Sequence, residues 1–142
     1  MKTIEYVILT VILSLVVFQT SAAAQTPNPT LYVIVQHTDD SPAYNANYDR
    51  IQQDIMSRYT KNTKVVFISY DVTNDAMTAN LKGDFDWYAV YNAAYANNGE
   101  EGIIIMDPAS KQVISRYNLD AGTKDILKSI AEGSQMIARS NQ

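Results

Sequence analysis

The chain has 142 residues, 46% of them hydrophobic, which is enough for one domain with a full core and too little for two. Eleven basic against fifteen acidic side chains give a net charge of −4 without a basic cluster, which argues against nucleic acid or an anionic membrane as partner. Cysteine is absent, and this excludes disulfides, thiolate nucleophiles, iron–sulfur clusters and cysteine-ligated zinc.

Lys2, an almost wholly apolar run from Tyr6 to Phe18, and the small residues Ala22-Ala23-Ala24 read as a signal peptide over residues 1–24. The apolar run falls short of the about 20 residues that span a bilayer, so cleavage before Gln25 is expected rather than a retained anchor. Membrane contact is expected only if that segment stays uncleaved, and the expected location is the periplasm or the medium. Residues 25–30, with Pro27 and Pro29, form an extended lead-in to a single domain over 31–142.

Leu31 to Val35 is a continuous apolar run and predicts a central strand buried on both faces. The turn Thr38-Asp39-Asp40-Ser41-Pro42 follows. Pro42 suits the first helical position, and Ser41 or Asp40 can cap the free amides there. Tyr44, Tyr48, Ile51, Ile55 and Tyr59 then recur at helical spacing and predict one apolar stripe on one continuous helix. After the polar link Thr60 to Thr63, Lys64 to Asp71 predicts a second strand, joined to the first by a right-handed crossover and therefore parallel to it. Ala76, Met77, Ala79 and Leu81 suggest a short helix, ended by Gly83. Asp84 can cap another helix from Phe85 to about Ala96. Gly102 to Met106 is a third strand, Asp107 to Lys111 a hairpin turn, and Gln112 to Tyr117 an antiparallel fourth strand. The last helix starts near Asp120 to Thr123, lays Ile126, Leu127, Ile130 and Ile137 on the sheet, and is expected to fray beyond Gly133.

This β-α-β-α-β-β-α order resembles the thioredoxin-like α/β fold, a three-layer sandwich, over about Leu31 to Ser134. In that family the first strand enters its helix through W-C-G-P-C, which lies over Asp39-Asp40-Ser41-Pro42-Ala43 here; only the proline matches. The family's buried acid falls on Ile34, and its cis-proline before the third strand falls at Glu100-Glu101-Gly102. Without a thiolate, a resolving thiol or a group to manage the proton, the resemblance implies the fold and argues against its redox reaction.

His37, Asp39, Asp40 and Ser41 can be drawn as an acid, base and nucleophile, but sequence neighbours rarely adopt that geometry and capping explains them more simply. The acidic groups Asp39-Asp40, Asp71 to Asp75 and Asp84 to Asp86 match no defined cation loop, so no metal and no cofactor is expected. Trp87, Tyr88, Tyr91 and Tyr95 are concentrated in one segment, with the three tyrosines on one helical face. They read either as core or as a binding surface beside Asp39, Asp40, Ser41 and Pro42. The expectation is an exported, non-catalytic protein that contacts an envelope partner or its own copies as an accessory subunit. A peptide- or small-molecule-binding module using 85–98 and a metal-dependent or hydrolytic enzyme using His37 are the alternatives.

Overall fold

The computed structural model describes residues 31–74, 92–93, 99–140 and 142. Four strands, β1 (Leu31–His37), β2 (Val65–Asp71), β3 (Gly102–Asp107) and β4 (Gln112–Tyr117), form one mixed sheet in the order β2-β1-β3-β4. Helix α1 (Pro42–Arg50) follows β1, and α2 (Thr123–Ser140) closes the chain. The class is α/β, with the strands and both terminal helices where the apolar runs predict them.

β1 is the central strand because it is buried along its whole length. It pairs in parallel with β2 from Leu31↔Val65 to His37↔Asp71, and antiparallel with β3 from Tyr32↔Met106 to Gln36↔Gly102. The period-2 alternation sends Leu31, Val33 and Val35 to one face with Ile103 and Ile105. Ile51, Ile55, Ile126, Ile130 and Ile137 cover them there. Tyr32 and Ile34 go to the opposite face with Ile68, Tyr70, Ile104 and Met106, and Ala93 packs there. Both faces of the two interior strands are buried, which is why Leu31 to Val35 of β1 and Ile103 to Met106 of β3 are apolar without alternation. Between β3 and β4, Asp107 closes the turn by accepting from the Ala109 amide at 2.9 Å and the Ser110 hydroxyl at 2.7 Å, with Lys111 at φ 60°.

The structure departs from the sequence expectations in four places. β1 runs two residues beyond Val35, because Gln36 and His37 continue the backbone pairing although their side chains are polar. The helix after the turn is not uniform. It is α-helical to Arg50, a π-helical turn over Ile51–Ile55, and a tight 3₁₀ turn over Met56–Tyr59. The apolar stripe is correspondingly broken: Ile51 and Ile55 are buried, whereas Tyr48 is 46% exposed and rests edge-on against Tyr44. Finally, α2 does not fray at Gly133. A Cβ at that position would lie 3.3 Å from the side chains of both Leu31 and Ile114, so the glycine lets the helix approach the sheet closely, and Ile137 beyond it is buried. The expected helix over 76–81 lies outside the described residues, as do the expected leader and the expected helix over 85–96 except for Asn92 and Ala93, which are helical. Among the described residues no helix is long and apolar enough to cross a membrane.

Candidate functional site

The C-terminal end of β1 meets the start of α1 and the lead-in to β3, and polar side chains converge there. Ser41 is the cap: its backbone is extended (φ −61°, ψ 114°), Pro42 follows at the first turn, and its hydroxyl accepts from the Tyr44 amide at 3.0 Å. Asp39 and Asp40 stand exposed in the turn. The Asp39 amide donates to the Thr73 hydroxyl at 3.2 Å. That hydroxyl and the Thr73 amide both donate to Asp71 Oδ1, at 2.6 and 2.8 Å.

The residue that organises this turn is Glu101, which stands where the resemblance places a cis-proline. Its Oε1 accepts from the Thr38 amide and the Thr38 hydroxyl, each at 3.1 Å. Burial pushes the Glu101 carboxyl up, but hydrogen bonds from the Ser41 hydroxyl and from Thr38, together with the nearby His37, outweigh it and hold the group below the usual carboxylate range. The only sequence signal for this role is a carboxylate immediately before an apolar strand, which does not reveal what it reaches.

His37 is 7% exposed, and both ring nitrogens are in use. Nε2 lies 3.0 Å from the Ser69 hydroxyl and Nδ1 lies 3.2 Å from the Thr38 carbonyl. An N–H on Nδ1 donates to that carbonyl, and Nε2 shares a hydrogen bond with the Ser69 hydroxyl. Its face stacks on Tyr44, with centroids 3.7 Å apart and planes within 3°. The acid–base–nucleophile set drawn from sequence is thus not assembled: His37 pairs with Ser69 across the sheet, and Ser41 is committed to the cap. Trp87, Tyr88, Tyr91 and Tyr95 lie outside the described residues. Among the described residues no group of three histidine, aspartate or glutamate side chains is placed to hold a metal ion.

On the outer side of Glu101 a groove of about 430 Å³ opens between α1 and the β4–α2 loop, lined by Ala43, Asn47, Glu101, Asn118, Leu119 and Asp120. Arg50 fixes its two walls to each other. Nε and Nη2 donate to Asn47 Oδ1 at 3.2 and 3.0 Å, Nη2 also to the Leu119 carbonyl, and Nη1 to the Ala121 carbonyl at 2.8 Å and the Thr123 hydroxyl at 3.1 Å. A planar guanidinium with five donors suits such a clasp, since it can bridge a side chain and two carbonyls at once. The groove walls are therefore preset. The chain matches no protein-family model, no curated protein and no solved structure.

Proposed function

We propose that this chain is an exported, thioredoxin-like protein that has no catalytic role and acts through protein–protein contacts as an accessory or structural subunit of an envelope assembly, using the groove beside Glu101. The fold reading is supported by the order β2-β1-β3-β4, with a parallel first pair, an antiparallel β3–β4 pair, and α1 and α2 packed on the same sheet face. The leader pattern of Lys2, Tyr6 to Phe18 and Ala22-Ala23-Ala24 supports export. The observation that carries the functional reading is the Glu101 tether. At the strand-to-helix turn where the resembled family keeps reactive sulfur, this chain places the Thr38 hydroxyl and amide, both bonded to one carboxylate, beside a groove whose walls are clasped by Arg50.

Capture from a native envelope extract tests this, with the wild-type chain compared with Ala43→Trp, which fills the groove from an exposed helix position. The expected result is a discrete partner or a second copy retained by the wild type and lost by the variant, at unchanged melting temperature. Equal retention by both would remove the groove from the interface.

A further inference from the structure

The lining of the groove carries two carboxylates, Glu101 and Asp120, and no cation of its own. Asn47 spends its carbonyl oxygen on Arg50 and its amide nitrogen on the Ala43 carbonyl, at 2.9 Å. Arg50, which is bonded to both walls, commits its five N–H donors to Asn47, Leu119, Ala121 and Thr123. A carboxylate offers about four lone-pair directions, and Thr38 supplies two donors, both to Oε1 of Glu101, so room for a further donor remains. Across the groove Asn118 and Asp120 are exposed and belong to a different element, the β4–α2 loop. Leu119 and Ala43 give the groove an apolar strip against which a methylene stem can lie. An apolar strip ending in acceptors from two elements, with two negative charges and no lining cation, complements a long side chain with a positive tip.

We infer that the groove between α1 and the β4–α2 loop receives the cationic side chain, lysine or arginine, of an extended partner segment, with Glu101 and Asp120 as the receiving charges. This rests on the groove being the contact surface proposed above. It adds what that surface selects: a basic partner strand, not an apolar or acidic one.

The test is titration of the isotope-labelled full chain with capped tripeptides carrying arginine, lysine, glutamine or glutamate between two alanines. The arginine and lysine peptides should shift the amides of Ala43, Asn47, Glu101 and Asn118 to Asp120, weakening several-fold as salt is raised, and the other two should not. Glu101→Gln should weaken the arginine peptide by about tenfold. Because Glu101 also ties the turn, the loop supplies a second handle. Asp120→Asn should weaken binding about two- to threefold and Asn118→Asp should strengthen it by a similar factor, both with the fold intact. Equal shifts from all four peptides, or no response to both loop variants, would overturn the charge selectivity while leaving the groove as a contact surface. No shift from either basic peptide overturns it too, whereas retention of the partner by Ala43→Trp overturns the surface itself.

Discussion

Gln36 and His37 are neighbours near the end of the central strand, both polar and both buried, and they face opposite sides of the sheet. His37 looks toward α1, where Ser69, the Thr38 carbonyl and the ring of Tyr44 meet each of its functional surfaces. Gln36 has no exposed surface at all, and neither its amide nitrogen nor its amide oxygen has a hydrogen-bond partner among the described residues. An unmade hydrogen bond on a buried polar group costs about 1–3 kcal/mol, so the two adjacent residues load the fold in opposite ways. The difference teaches where the polar organisation of the molecule lies. On the α1 side of the sheet end the buried polar ring is fully bonded, whereas on the other side the Gln36 amide has no partner among the described residues.

The largest effect that can probe this contrast is in the core of each face. Ile105 and Ile104 are adjacent in β3, fully buried, and point to the α1 face and the opposite face respectively. Truncating either to alanine should cost about 2–5 kcal/mol in urea unfolding. Equal losses would mean the two faces are packed alike and differ only in polar bonding; a much smaller loss for Ile104→Ala would extend the contrast to packing. Next comes Gly102→Ala, which pairs with Gln36 across the strands and would place a Cβ 2.6 Å from the Tyr117 carbonyl oxygen. Backbone has to move, so a loss of about 1–3 kcal/mol is expected in the same assay.

The sharpest test is a pair of opposite signs. His37→Leu should lower stability by about 1–3 kcal/mol, because it strands the Ser69 hydroxyl and leaves the Thr38 carbonyl with the Ser41 amide alone. Gln36→Met, similar in volume, should be neutral or stabilising, because it removes a polar group that has no partner among the described residues. If both lower the melting temperature alike, the contrast fails.

The smallest effect is one of pH. The Glu101 carboxyl lies below its ordinary range when folded, so its contribution is fully present above the unfolded value and is lost as pH falls through the folded one. Wild type should therefore lose stability between about pH 5 and pH 3 more steeply than Glu101→Gln, and parallel curves would show that the tether is energetically idle.

Much of this frame is legible in sequence because it is local. Runs such as Leu31 to Val35 and Gly102 to Met106 mark strands by composition alone, and Ser41-Pro42 marks a helix start by the chemistry of free amides. The π-helical turn is illegible because Ile51 and Ile55, four apart, suit an α-helix as well as the wider turn. Gly133 reads as a helix breaker until the close approach of Leu31 and Ile114 is known. Glu101 and the His37–Ser69 pair are contacts across 63 and 32 residues, and no pattern near either residue announces its partner. The site is made of such long-range contacts, which is why less of it than of the fold can be read in advance.

The place of β1 in the sheet also dictates an order of assembly. Its parallel neighbour β2 follows after one helix, but the strand on its other edge, β3, arrives roughly seventy residues after β1 begins, so closing that edge is a slow, long-range event. Until then Leu31 to His37 presents an open row of backbone donors and acceptors flanked by Val33, Ile34 and Val35, a template for pairing with another chain. A growing or truncated chain that stops short of Gly102 therefore carries its most aggregation-prone strand uncovered, and only the final third of the sequence makes the molecule safe.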